Sequence, residues 1–160
     1  MINIKKLTKI NLKSCLDLID IERDNFCHLM RIGWSEKQIK LQLNKVINYS
    51  LGIFDNKCLV AFILGDLITI EKVSEYEILI IYVKKSNRNK GLATKLLNHI
   101  EKEKQHLNLK KIYLEVSADN NKAINFYKRN DFKLINIRPC YYSIDNQKFD
   151  ALCYTKFYDK

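Results

Sequence analysis

Residues 77–93 read Glu77-Ile78-Leu79-Ile80-Ile81-Tyr82-Val83-Lys84-Lys85-Ser86-Asn87-Arg88-Asn89-Lys90-Gly91-Leu92-Ala93, and the fold turns on how this run is parsed. Its first part is apolar and rich in β-branched side chains, the composition of a buried strand over 76–83. A helix over 92–105 follows, because Leu92, Leu96, Leu97 and Ile100 recur on one face. A strand, a loop and a helix start leave unpaired backbone N–H groups at the positive end of the helix dipole. Small residues at Gly91 and Ala93 let a pyrophosphate approach that backbone, and Arg88 and Lys90 add charge. The run is neither the G-x-x-x-x-G-K-[ST] loop nor the G-x-G-x-x-G fingerprint. Taken alone, R-x-x-G-x-A reads first as an ordinary helix start with a glycine turn.

Outward from this run, the periodicity alternates between strand and helix. Upstream, residues 2–6 suit a short edge strand, and Leu12, Leu16, Ile19 and Phe26 mark one amphipathic helix. A second helix starts at Ser35, with Gln38 placed for a capping box and Trp34 and Ile39 for a hydrophobic staple. Strands follow over 51–54 and 59–67, with Asp55-Asn56-Lys57 as the turn between them. Downstream, Ile112, Leu114 and Val116 alternate with Tyr113, Glu115 and Ser117, a strand with two different faces. Residues 120–129 read as a short helix, and 132–137 and 152–157 as closing antiparallel strands. The order β α α β β β α β α β β predicts an α/β sheet with helices on its faces. There is no Gly/Ser/Pro-rich linker and no repeat, so residues 1–160 are expected to form a single domain.

The charge is uneven. Residues 84–111 hold nine basic side chains (Lys84, Lys85, Arg88, Lys90, Lys95, Lys102, Lys104, Lys110, Lys111) against Glu101 and Glu103, most of the formal net charge of +10. Such a patch suits a phosphorylated cofactor, nucleic acid or a membrane surface, although Lys95 to Lys104 fit a solvated helix face equally well. No interleaved aromatic platform and no helix-turn-helix pattern accompanies it, so direct nucleic-acid binding is not expected. The five cysteines, Cys15, Cys27, Cys58, Cys140 and Cys153, are scattered singly, which fits neither a disulfide framework nor a metal site. Reduced thiols, no signal-peptide-like start and no apolar stretch long enough to span a bilayer point to a cytoplasmic location without membrane attachment.

Context gives the glycine loop its meaning. The strand, the R-x-x-G-x-A loop, the helix, Leu114-Glu115-Val116 and then Asn120-Asn121-Lys122-Ala123-Ile124-Asn125-Phe126-Tyr127 follow the running order of the GNAT acetyltransferase superfamily. Trp34-Ser35-Glu36, Arg138, Tyr141-Tyr142, Asp150 and Ala151 resemble elements of its bacterial ribosomal-protein-alanine N-acetyltransferases, the RimI type. The resemblance spans residues 34–158. It implies the GNAT fold, a single central mixed, mostly antiparallel sheet flanked by helices on both faces. It also implies an enzyme that moves acetyl from acetyl-CoA, with no metal, onto the α-amino group of a protein N-terminus, ribosomal by analogy, with a lysine side chain or a small-molecule amine as the alternative acceptor.

Site roles follow from the same resemblance. Arg88, Asn89, Lys90, Gly91, Leu92 and Ala93 would grip the acetyl-CoA pyrophosphate through their backbone. Ile81, Tyr82 and Val83 would hold the pantetheine arm and polarise the thioester carbonyl. Glu115 takes the place of general base and Tyr127 that of general acid. By alternation alone Glu115 is a solvated strand residue, and Tyr127 by itself reads as packing. Asn120 is placed either to cap the helix or to contact CoA. Trp34, Glu36, Arg138 and Tyr141 fall in the substrate channel, with sheet-edge packing an alternative for the tyrosine pair. An α-amine, with a pKa of ~7.7–8.0 against ~10.4 for lysine, needs only a carboxylate to deprotonate it near neutrality.

The sequence also departs from the pattern. Ala93 replaces a second glycine, and Lys84-Lys85 stands where the subfamily has Asp-Pro. Asp131 occupies a position that favours φ > 0. Pro139-Cys140 alters the substrate lip, so the acceptor is less constrained by the resemblance than the chemistry is.

Overall fold

Apolar residues at alternating positions build a seven-stranded sheet, and apolar residues at helical spacing cover both of its faces. The computed structural model describes residues 2–103 and 105–158, without the side chains of positions 27 and 28; Lys104 and the Cys27 thiol therefore lie outside the described residues. The chain runs β1 (Ile2–Leu7), α1 (Leu12–Ile21), α2 (Arg23–Arg31), α3 (Glu36–Asn44), β2 (Ser50–Asp55), β3 (Cys58–Ile70) and β4 (Val73–Val83). It continues through α4 (Leu92–Lys102), β5 (Leu109–Ser117), α5 (Asn121–Arg129), β6 (Lys133–Ile144) and β7 (Gln147–Phe157). The strand order is β1-β2-β3-β4-β5-β7-β6. Among the described residues only β4 and β5 are parallel neighbours; the other pairings are antiparallel.

Three hairpins are closed by two-residue turns, Asn56–Lys57, Glu71–Lys72 and Asp145–Asn146, whose φ values lie between 46° and 70°. Paired left-handed residues are the geometry of a type I′ turn, whose twist matches that of the flanking strands. The parallel pair instead needs a crossover, and α4 supplies it. Leu92, Leu96, Leu97 and Ile100 of α4 and Ile124 and Tyr127 of α5 bury one face of the sheet. Leu18, Ile19, Phe26, Ile39 and Leu43 of α1 to α3 bury the other.

Several boundaries differ from the periodicity. The strands expected over 59–67, 76–83 and 152–157 extend to Ile70, from Val73 and from Gln147, because tight two-residue turns let pairing run to the hairpin ends. The single helix expected through Leu12 and Phe26 is broken at Glu22, whose backbone leaves the helical region (φ −106°, ψ 20°). Phe26 still joins the same core as Leu18 and Ile19, so the apolar stripe runs on across a joint it does not reveal. The α4 helix ends at Lys102 rather than at 105. The strand expected over 132–137 continues to Ile144, because Pro139 sits in a bulge on an edge strand, where a missing N–H breaks no ladder bond. Asp131 does take φ = 66°. Among the described residues, no helix is long and apolar enough to cross a membrane.

Candidate active site: a slot between diverging strands

The site begins with a bulge. Gly65 pairs with Ile78 and Leu64 with Ile80, leaving Leu79 as the extra residue. A Cβ on Gly65 would collide with the Tyr76 hydroxyl, so only glycine lets the strands approach there. The extra residue reverses the faces of β4. Tyr76 and Ile78 point to the α4–α5 core, whereas Ile80 and Tyr82 point to the α1–α3 core. Pairing between β4 and β5 stops at Ile78 and Leu114. Residues 79–83 and 115–117 then run on without pairing to each other, and a slot opens between them.

The walls of the slot are backbone on the β4 side. The Lys84 N–H donates to Val60 O at 2.9 Å, toward β3. Backbone polar groups alternate along a strand, so those of Ile81 and Val83 point the other way, into the slot. Arg88 Nε donates to Val83 O at 3.0 Å, which leaves the Ile81 amide and carbonyl and the Val83 amide facing the slot.

At the end of this strand the chain turns through two left-handed residues, Asn89 (φ 61°) and Gly91 (φ 72°). Among the described residues nothing lies within 4 Å of a Cβ built on Gly91, so backbone conformation, not crowding, calls for glycine, and the space above it is open. No side chain caps α4, and Lys95 N–H donates to Gly91 O at 2.9 Å. The N–H groups of Leu92, Ala93 and Thr94 therefore have no acceptor within the helix. Bare donors at the positive end of a dipole, beside the exposed Lys85, Arg88 and Lys90, fit a phosphate group. Lys111, at the far end of the basic run, is instead paired with Glu75 at 3.1 Å.

A residue absent from the sequence reading holds the start of this loop. Glu22 Oε2 accepts from the Lys85 N–H at 2.8 Å and from the Tyr82 hydroxyl at 3.2 Å. The Tyr82 ring stacks on Phe62 and meets Phe26 edge-on. Burial and the Glu22 carboxylate push its hydroxyl up to about 12, against the lowering effect of Arg88, whose guanidinium lies 5.7 Å from the ring centre. The acid standing where the α1 stripe passes into α2 is the only sequence signal for Glu22.

Across the slot, Glu115 Oε1 accepts from Arg138 Nη1 at 2.7 Å and from the Cys153 thiol at 3.8 Å. The Arg138 guanidinium lies 3.8 Å from the centre of the Tyr141 ring. This arrangement depends on a second bulge. Arg138 pairs with Ala151 and Tyr142 with Phe149, so residues 139–141 oppose Asp150 alone. Asp150 Oδ1 accepts the Cys140 N–H at 2.9 Å and holds Cys140 at φ = 53°. Glu77 stands on the same side and accepts from the Tyr113 hydroxyl at 3.1 Å. Burial raises the Glu77 carboxyl above its usual range, opposed by the Tyr113 hydrogen bond and reinforced by Asp66 and Glu115.

The structure thus gathers two groups of the predicted residues around one slot: Ile81 to Ala93 along β4 and α4, and Glu115, Arg138 and Tyr141 along β5 and β6. Tyr127 approaches from the α4–α5 face, its ring edge-on to Phe126 and Phe132. Burial, with a smaller contribution from Tyr142, raises its hydroxyl well above the ordinary tyrosine value. Tyr142, itself pushed up to about 12 chiefly by burial and then by Glu115, lies within electrostatic reach of both Tyr127 and Glu115. Asn120 Oδ1 accepts the Ala123 N–H at 3.2 Å, so this oxygen caps α5. Trp34 and Glu36 stand apart, at the α2–α3 turn. Trp34 packs on the α1–α3 core, and Ser35 Oγ accepts the Gln38 N–H at 3.3 Å, one half of the expected capping box. An ion pair of 2.9 Å between Arg31 and Asp145 brings the end of α2 beside the β6–β7 turn.

The model of the acetyltransferase (GNAT) family matches residues 16–132. The chain belongs to the GNAT family of acetyltransferases. It is 36% identical over 86 residues to N-alpha-acetyltransferase 60 of Danio rerio, an overlap covering 50% of this chain and 34% of that protein. The chain therefore spans about a third of the length of that curated relative. Two solved structures share the fold across nearly the whole chain. Arabidopsis thaliana NAA60, in complex with a bisubstrate analogue, superposes with a TM-score of 0.80 at 23% identity, covering 98% of each chain. The ribosomal-protein-S18-alanine N-acetyltransferase of Escherichia coli does so with a TM-score of 0.80 at 22% identity, covering 100% of this chain and 96% of that one.

Proposed function

We propose that this GNAT protein transfers acetyl from acetyl-CoA to the α-amino group of a protein N-terminus. The observation that carries this reading is the slot itself. A backbone wall (Ile81, Val83) leads to a bare helix N-terminus at Gly91, while a carboxylate, Glu115, faces it across the gap. Acetyl-CoA supplies an activated acetyl thioester, and the chain's residues do the rest. The backbone from Arg88 to Ala93 holds the pyrophosphate, with Asn120 beside it at the start of α5. Ile81, Tyr82 and Val83 align the pantetheine arm, and the slot-facing amides steady the carbonyl oxygen as it gains charge. Glu115 takes a proton from the acceptor ammonium, freeing the lone pair that attacks the carbonyl carbon. As the C–S bond breaks, Tyr127 gives its proton to the departing sulfur, and the second amine proton leaves to solvent. Glu115 and Tyr127 belong to opposite faces of the sheet, which suits an acceptor and a leaving group that meet the thioester from opposite sides.

The acceptor side would be formed by Arg138 and Tyr141, with Trp34 and Glu36 from the α2–α3 turn. A ribosomal-protein terminus is the acceptor this reading favours. The Escherichia coli fold neighbour carries that activity in its name, and a net charge of +10 favours residence near RNA without a dedicated binding site. Scattered thiols among residues 1–160, read as a single domain, fit a cytoplasmic setting. The test is incubation with labelled acetyl-CoA and short peptides with free or blocked N-termini, some carrying lysine. Label confined to free N-termini is the expected result. Label on blocked, lysine-bearing peptides would replace the α-amine with a side-chain amine.

A further inference from the structure

Two carboxylates are almost completely buried among the described residues, Asp66 and Glu22. Asp66 has a cation at hand, Lys45 Nζ at 2.7 Å, together with Gln42, and pins α3 to β3. Glu22 is held differently. Its Oε2 collects neutral donors from three elements: the Lys85 N–H at 2.8 Å, the Tyr82 hydroxyl at 3.2 Å and Asn25 Nδ2 at 3.4 Å. Burying a carboxylate is costly, and several hydrogen bonds converging on one oxygen are what offset that cost.

Those donors stand at a junction. Tyr82 lies between the two slot-facing residues Ile81 and Val83, and Lys85 is the second residue of the loop that leads to Gly91. Arg88 folds back over Tyr82 and onto Val83 O. One carboxylate therefore fixes the point where β4 leaves the sheet and the loop begins. The joint between α1 and α2 is what turns Glu22 inward to reach it. We infer that Glu22 is a positioning residue for acetyl-CoA: it holds the Lys85 end of the loop and Tyr82 in place before the ligand arrives, so that the phosphates meet a preformed cradle. The inference rests on the reading that the Gly91 loop takes the phosphates.

The test compares Glu22→Gln and Tyr82→Phe with the wild-type chain. CoA affinity is measured by calorimetry, and steady-state kinetics use either acetyl-CoA or S-acetyl-pantetheine, a donor without phosphates. Replacing the charged acceptor by a neutral amide, which weakens every hydrogen bond it collects, is expected to weaken CoA binding and raise the acetyl-CoA KM about tenfold in Glu22→Gln; Tyr82→Phe, which deletes one of those bonds, is expected to do so less. In Glu22→Gln the acceptor KM, and kcat/KM with S-acetyl-pantetheine, should stay within about twofold of wild type. Equal losses with both donors, or unchanged CoA affinity in both variants, would overturn the inference. If the wild-type chain binds CoA no more tightly than pantetheine, the phosphate reading of the loop fails, and Glu22 falls with it.

Discussion

On the Gly91 side of the slot the groups that line it belong to the backbone: the amides of Ile81 and Val83 and the first turn of α4. On the Glu115 side they are side chains, Glu115, Arg138 and Tyr141, carried by strands that a bulge at residues 139–141 displaces. The first wall is set by local conformation and by one buried carboxylate. The second is set by which side chains stand on β5 and β6 and how the bulge aims them. Under the proposed function the backbone wall would recognise what every acetyl-CoA shares, and the side-chain wall would choose the acceptor. The same contrast appears in exposure, since β6 is open to solvent along most of its length and the slot end of β4 is not.

If this division holds, the largest effect comes from the side-chain wall. Glu115→Gln keeps the shape of the residue and its contact with Arg138 but removes the proposed base, so kcat is expected to fall by about 10²–10⁴-fold with little change in CoA affinity. Near-normal turnover in the folded variant would take the base role away from Glu115. On the backbone wall the expected loss is smaller and lies in binding. Gly91→Val forces a β-branched residue to φ = 72° at a cost of about 1–2 kcal/mol, lowering Tm and raising the acetyl-CoA KM together. Gly91→Asn separates the two effects. Asparagine tolerates the left-handed conformation, so Tm should hold while its side chain fills the open space and KM still rises. A variant that binds CoA like wild type would show that the phosphates do not lie over this turn.

Arg138→Ala tests how the two walls communicate. The ion pair with Glu115 is partly solvent-exposed, so its loss should change the acceptor KM only a few-fold and leave CoA affinity alone. An equal loss in CoA affinity would mean that the acceptor wall also shapes the co-substrate pocket.

The sequence made the backbone wall legible and much of the side-chain wall obscure, for a physical reason. A strand, a glycine needing positive φ and an amphipathic helix leave periodic, local marks, and residues 77–93 carry all three. Glu115 and Tyr127 became candidates only through a resemblance, because strand alternation and helix spacing alone mark them as a surface acid and a packed ring. The Arg138–Glu115 pair joins β6 to β5 across β7, a contact no local pattern encodes. Glu22 was hidden more deeply. The apolar stripe from Leu12 to Phe26 runs through its joint, and a glutamate between helical positions reads as solvated until the fold turns it inward.

The subtlest expectation concerns Glu77, on the acceptor side of β4 and bonded to Tyr113. Its folded-state pKa is raised, first by burial, with Asp66 and Glu115 adding to the effect. The folded chain therefore holds this proton more tightly than the unfolded chain does. The stability that Glu77 contributes is complete below its unfolded value near ~4.3 and is lost as pH rises through the higher folded value. Glutamine keeps an oxygen for the Tyr113 hydroxyl and has no charge to bury. The Tm of Glu77→Gln should therefore match wild type near pH 4 and exceed it slightly at pH 7. A variant that loses more stability at pH 7 than at pH 4 would mean that the Glu77 carboxylate is held by an attraction stronger than its burial cost. The acceptor wall would then owe its shape to paired charge, as the Glu115–Arg138 contact does, and the contrast with the backbone wall would widen.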